Sequence, residues 1–204
     1  MDAIIDYGAG NLRSVSNALK TLGVESIITR DAEEIKNASH VILPGVGSFG
    51  WAMQMIDDLN LRDAIREAAL SGKPFLGICL GLQLLFDESE ESPGYKGLGV
   101  FEGKIVRFED RGLKIPHMGW NSLEFPKKAR MFEHLDLDPY VYFVHSYYAQ
   151  PKDESIVSAN VTYGQTVCVA VEKDNIFAAQ FHPEKSGQVG MQILKNFISR
   201  EVNA

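Results

Sequence analysis

"PFLGICLGLQLLF", residues 74–86, carries an apolar run of strand character straight into one of helical character, with a cysteine at the join. Gly77 and Gly81 bracket Cys79, giving G-x-C-x-G, the nucleophile-elbow pattern G-x-S-x-G with a thiol in place of the hydroxyl. A nucleophile on a sharp strand-to-helix turn takes strained backbone angles, and bulky residues two positions to either side would collide with it. Its side chain then stands at the carboxyl edge of the sheet, where open α/β sheets bind ligands. The helix that follows offers free N–H groups and the positive end of its dipole, which favour an anion at that point. A buried structural thiol is the competing reading; the two glycines and the strand–helix switch weigh against it.

Upstream of this junction the chain alternates. Residues 3–6 form a short apolar strand, and Leu12 opens a helical pattern with Val15, Leu19 and Leu22 apolar, closed by Gly23. "SIITR" (26–30) reads as a strand, "DAEEIKNAS" (31–39) as a short polar helix opened by Asp31, and "HVILPG" (40–45) as a strand ended by Pro44. One long helix is expected from about residue 50 to residue 70. Such alternation, with nearly continuous apolar strands, predicts βαβ units around a buried parallel sheet. Downstream the signals are mostly strands: "KIVRF", "YVYFVHSYYA", "SIVSANV", "VCVAVE" and "IFAAQF". A last amphipathic helix is expected over about 189–202, with Met191, Leu194, Ile198 and Val202 on one stripe. The expected fold is α/β: one domain over residues 1–204, with a mostly parallel central sheet, helices on both faces and a β-rich second half.

Composition bounds the function. A net charge of −7 with no Lys/Arg run argues against a nucleic-acid footprint, which needs a basic patch or stripe. No stretch approaches the roughly 20 apolar residues that span a bilayer. The opening "MDAIIDYG" is acidic where a signal peptide is basic, so no secretory signal is expected. Two distant cysteines, Cys79 and Cys168, with no CxxC pair suggest neither a disulfide framework nor a zinc site, and a cytoplasmic location is expected. Cys168, inside "VCVAV", reads as core.

A thiol nucleophile needs a base and a group to orient the base. Of five histidines, His40 and His134 read as surface residues, while His182 stands in "AAQFHPEKS" at a strand end, two positions before Glu184. In an extended segment residues i and i+2 point the same way, so Glu184 can hold one imidazole nitrogen while the other faces Cys79. "LPGVGSFG" (43–50) also ends a strand, and its glycines let backbone amides turn toward an oxyanion. It lacks the Lys-Ser/Thr of a P-loop, and a plain turn remains the alternative.

"PGVGSFG", "GICLGLQLLF" and "FHPEKS", in this order, resemble the class I (triad-type) glutamine amidotransferases. "DYGAGNLRSV", "IPHMGWN" and "YFVHSYY", with Lys185-Ser186 after the Glu, are similar to those members that supply ammonia to a synthase of histidine biosynthesis. The resemblance implies a catalytic triad of Cys79, His182 and Glu184 acting through a glutamyl thioester, with no cofactor and no metal. It implies an oxyanion site from the backbone of Leu80 and the loop Gly45, Val46 and Gly47. Glutamine would be held by Gln83, Glu91, His145, Ser146 and Tyr147; for Glu91, in "DESEES", an ordinary solvated face stays open. It further implies a heterodimer with a (β/α)8-barrel cyclase subunit, which uses the ammonia to make imidazole glycerol phosphate and an aminoimidazole ribonucleotide. Asn11, Met118, Trp120, Tyr142 and Lys185 would lie at that interface, with core packing an alternative for Trp120. The isolated chain would be a weak glutaminase. The same triad serves pyridoxal phosphate, anthranilate and purine synthases, so the interface residues must separate these.

Overall fold

The computed structural model describes residues 1–200. Twelve strands occur among them: β1 (Asp2–Ile5), β2 (Ser26–Thr29), β3 (Val41–Gly45), β4 (Phe75–Cys79), β5 (Glu88–Ser89), β6 (Gly103–Arg107), β7 (His117–Ser122), β8 (Tyr140–His145), β9 (Tyr147–Pro151), β10 (Val157–Thr162), β11 (Thr166–Lys173) and β12 (Ile176–Ala179). The helices are α1 (Leu12–Thr21), α2 (Ala32–Asn37), α3 (Phe49–Asp58), α4 (Arg62–Leu70), α5 (Leu80–Leu84) and α6 (Gly187–Ile198). The main sheet runs β2-β1-β3-β4-β12-β11-β9-β6-β5, with β10 on β11, and β7 and β8 form a separate ribbon. From β2 to β12 every pairing is parallel; β11, β9 and β10 add the antiparallel part. The β-rich second half is thus mostly an extension of one sheet.

Alternation along each strand divides the core between the two faces. Ala3 and Ile5 of β1 join a cluster with Phe49, Met53 and Ile56 of α3 and Ile65 of α4. Ile4 points the other way, to Val15 and Leu19 of α1 and Ile193, Leu194 and Phe197 of α6. Helices on both faces leave the inner strands dry, which is why they read as unbroken apolar runs. Pro44 lies inside β3 rather than ending it. The Val41 N–H faces β4, bonding to the Pro74 carbonyl, so Pro44, three residues on, by alternation faces β1, whose pairing has stopped at Ile42. No ladder bond is lost there.

Two expected elements are divided. The long helix breaks into α3 and α4 at Asn60, whose φ of 54° is a left-handed C-terminal conformation that asparagine tolerates. "YVYFVHSYYA" breaks at Ser146: β8 belongs to the ribbon and β9 to the main sheet. The ribbon strand β7 has no strand signal in sequence, because "HMGWNS" lacks an apolar alternation. Val202 lies outside the described residues.

Candidate active site

Cys79 ends β4 with φ 55° and ψ −109°, and α5 begins at the next residue. The bracketing glycines are required, though by different atoms from those the motif suggests. A Cβ on Gly81 would stand 1.8 Å from the Leu43 carbonyl oxygen, and one on Gly77 would stand 2.9 Å from that of Gly81. The elbow folds α5 down onto β3 and its own strand, and only bare backbone fits between them. Gly45 lies opposite Cys79 in the β3–β4 register. Its missing side chain leaves room for the Tyr7 hydroxyl and Leu80.

The register of β12 against β4 pairs Ala179 with Ile78, so Gln180 falls beside Cys79 and His182 follows at the sheet's edge. His182 does not sit in an extended run with Glu184. It caps the 3-10 turn Pro183–Lys185, and that turn brings Glu184 Oε1 to 2.8 Å from Nδ1. Ser186, buried in the same turn, donates to the His182 carbonyl and accepts from the Tyr142 N–H, while the His182 N–H donates to the Tyr142 carbonyl. The His182 backbone is thereby bolted to β8. The second ring nitrogen, Nε2, is buried without a hydrogen-bond partner, and His182 lines the same pocket as Cys79. Burial opposes a charge on His182, but the Cys79 sulfur and the Glu184 carboxylate beside it outweigh burial and raise the pKa to about 9.

Cys79, Gln180 and His182 line a pocket of about 300 Å³ whose wall also includes Val46, Gly47, Leu80, Gln83, Glu91, His145, Ser146 and Tyr147, while Glu184 stands behind His182 outside that wall. Of the residues expected to bind substrate or oxyanion, only Gly45 is not exposed in that wall; it stands behind, in β3. Glu91 is not a solvated bystander: one carboxylate oxygen accepts the Phe49 N–H at 2.7 Å, at the start of α3. Gln83 uses both side-chain N–H bonds, toward Gln180 Oε1 (3.0 Å) and the Tyr147 carbonyl (3.4 Å). What it can offer a ligand is its oxygen.

His145 and His117 form a second buried pair. His145 Nδ1 lies 2.8 Å from the Tyr147 carbonyl and must carry its proton there. His145 Nε2 is then the acceptor for His117 Nδ1–H at 3.0 Å, and His117 Nε2 faces the Asn121 amide. Burial lowers His117 to about 4 and His145 to about 3, so both rings are neutral. His40, read as a surface residue, is largely covered, bonding Asp2 at 2.8 Å and the Arg200 carbonyl at 2.9 Å. A larger groove near Phe125 and Phe132 carries no nucleophile; its Arg130 bonds Glu172, and its Lys127 bonds the Ser155 carbonyl.

Sequence reasoning missed Gln180, Tyr7 and the anchoring role of Ser186. Gln180 follows only from strand register, and the Tyr7 hydroxyl, fully buried without a partner, only from three-dimensional packing. Among the expected interface residues, Trp120 and Tyr142 pack edge to face. Met118 and Trp120 of β7 are 62% and 56% exposed, which removes core packing as the account of Trp120, and Tyr142 is its register partner on β8. Asn11 precedes α1, and Lys185 is exposed in the His182 turn.

Residues 3–200 match the glutamine amidotransferase class-I family. Solved structures agree in fold: one described as a glutamine amidotransferase superposes with a TM-score of 0.75 at 23% identity, covering 96% of each chain. Another, from a PurLQS structure of Thermotoga maritima, gives 0.74 at 20%, covering 97% of this chain and 96% of that one. The chain belongs to the class I glutamine amidotransferases. Curated relatives are closer in sequence. Imidazole glycerol phosphate synthase subunit HisH of Bacillus cereus (strain G9842) is 52% identical, over 97% of this chain and 93% of the relative. That of Methanothermobacter thermautotrophicus is 48% identical, over 97% and 98%. Within its class, this chain belongs to the HisH family, the glutaminase subunits of imidazole glycerol phosphate synthase in histidine biosynthesis.

Proposed function

We propose that Cys79, His182 and Glu184 are the catalytic triad of this glutaminase, in one amidotransferase domain. The Cys79 thiolate attacks the side-chain carboxamide carbon of glutamine, and the carbonyl oxygen becomes an oxyanion held by backbone N–H groups of Leu80 and the Gly45–Val46–Gly47 loop. Imidazolium at His182, oriented by Glu184, gives its proton to the departing nitrogen, releasing ammonia and leaving the glutamyl thioester. The same ring then takes a proton from water, whose hydroxide opens the thioester to glutamate and free Cys79. Glu91 and the Gln83 oxygen, both acceptors, suit the substrate's α-ammonium. His145, Ser146 and Tyr147 complete the hold on that amino-acid end.

Ammonia in neutral water is mostly ammonium, which has no lone pair with which to attack. The product therefore needs a shielded path, which supports docking on a (β/α)8-barrel cyclase as a cytoplasmic heterodimer. Met118, Trp120, Tyr142, Asn11 and Lys185 form the docking face, and the chain alone is a weak glutaminase. The observation that carries the reading is the meeting of Cys79 and His182 on one pocket at the ends of adjacent parallel strands, with Glu184 bonded to the far nitrogen of His182. In the complex, Cys79→Ala should lower glutamine hydrolysis at least ~10⁴-fold while leaving the thermal midpoint nearly unchanged. Retained turnover overturns the assignment.

A further inference from the structure

Beyond the triad, one buried side chain reaches the sulfur. Gln180 has no solvent-exposed surface, and its Nε2 lies 3.7 Å from Cys79 Sγ. Which end of an amide faces a neighbour is normally ambiguous, yet here the chain of contacts decides it. The Tyr147 carbonyl can only accept, so the group of Gln83 that faces it must be the NH2. The same NH2 meets Gln180 at 3.0 Å, so Gln180 must present its oxygen there. Its own NH2 is left facing the sulfur. Reversing Gln180 would set donor against donor, and reversing Gln83 would set its oxygen against the Tyr147 carbonyl oxygen.

We propose that Gln180 is a positioning residue for Cys79: an N–H donor that holds the sulfur through a one-way amide chain anchored on the Tyr147 carbonyl. The proposal rests on the reading of Cys79 as nucleophile. A donor to sulfur is worth more when the sulfur is an anion than when it is a neutral thiol or a thioester. Gln180 therefore favours the attacking form and keeps it aimed while the sulfur is on a strained backbone. Because Gln83 lies in the wall of the substrate pocket, the chain also ties the sulfur's aim to the pocket side chains. Gln180 does not touch the reacting carbonyl, and so its effect falls on turnover more than on glutamine binding.

The test uses the full chain in complex with its cyclase partner, with two variants of Gln180. Gln180→Glu keeps the shape but turns an acceptor toward the sulfur, and Gln180→Met removes both polar ends. Two readouts are taken: kcat and KM for glutamine, and the pH profile of Cys79 alkylation by iodoacetamide. Both variants should lower kcat about tenfold or more with KM changed less than about threefold. Both should also move the alkylation profile to higher pH by about one unit, Gln180→Glu the further of the two. A folded variant whose profile superimposes on the parent's overturns the proposal, whatever its activity. If Gln180→Glu does not fold, Gln180→Met alone decides the same comparison. Turnover in Cys79→Ala would instead sink the nucleophile assignment, an outcome that the alkylation profiles do not mimic.

Discussion

Cys79 and Cys168 are nearly equally buried, at 7% and 8% exposed, and differ in what surrounds the sulfur. Burial pushes the Cys168 thiol up to about 12, and its one polar contact is donation to the Ala170 carbonyl. It is a small core residue. Cys79 has a left-handed φ, bare glycine backbone on either side, the Gln180 amide and an imidazole whose free nitrogen shares its pocket. The histidines make a testable contrast by pH. His117 and His145 have folded pKa values below the unfolded 6.5, so the unfolded chain binds more protons between about 4 and 6.5, and stability must fall as pH drops through that window. The slope is up to about 1.4 kcal/mol per pH unit for each ring. Urea midpoints from pH 7 to pH 4.5 should decline less steeply in the double variant His117→Gln, His145→Gln; an unchanged slope rejects the neutral-pair account. His182, raised to about 9, works in the opposite sense. Its contribution is fully present below 6.5 and fades as pH rises toward 9, so the stability lost in His182→Gln should shrink over that range.

At the scale of elements, the elbow is a packing problem before it is a catalytic one. The Leu43 carbonyl occupies the place of a Gly81 Cβ at 1.8 Å, with rigid backbone on both sides, so Gly81→Ala should destabilise by about 3 kcal/mol or more. Gly77→Ala, at 2.9 Å, should be milder in stability. Gly23→Ala meets nothing within 4 Å and pays only for its φ of 80°, about 1–2 kcal/mol. Thermal or chemical melts rank the three, and a Gly81→Ala no worse than Gly23→Ala would refute the packing argument. The elements up to β4 were legible because the inner strands β1, β3 and β4 lie dry between helices and each helix has one apolar face. The Asp31 cap was legible too: its side chain accepts the Glu33 and Glu34 N–H groups. The break at Asn60 and the split at Ser146 were not. Both depend on where the segment must go next, and the local apolar pattern continues across them.

At the scale of the molecule, the parallel strands bring the Gly45 loop, Cys79 and the Gln180–His182 segment to one edge, and the β7–β8 ribbon stands over it. Hydrogen bonds of the Tyr142 backbone with His182 and Ser186 tie His182 to the strand that carries the proposed docking face. Trp120→Ala should weaken cyclase binding by about 2 kcal/mol, roughly 30-fold by titration calorimetry, without lowering the free chain's thermal midpoint. A lowered midpoint with unchanged affinity would return Trp120 to a structural role. That Cys79, His182 and Glu184 would come together was readable from the elbow and H-P-E motifs, although a 3-10 turn rather than an extended run joins the last two. Gln180 and Tyr7 were not, since neither register nor the filling of a missing Cβ is written in local sequence. The central claim is that one sulfur of the two does the chemistry, with His182 as its proton carrier. Mass spectrometry after treating the complex with a glutamine-derived electrophile tests it most directly. A single adduct on Cys79, much slowed in His182→Gln, is the predicted result; labelling at Cys168, or undiminished labelling in Cys79→Ala, would contradict it.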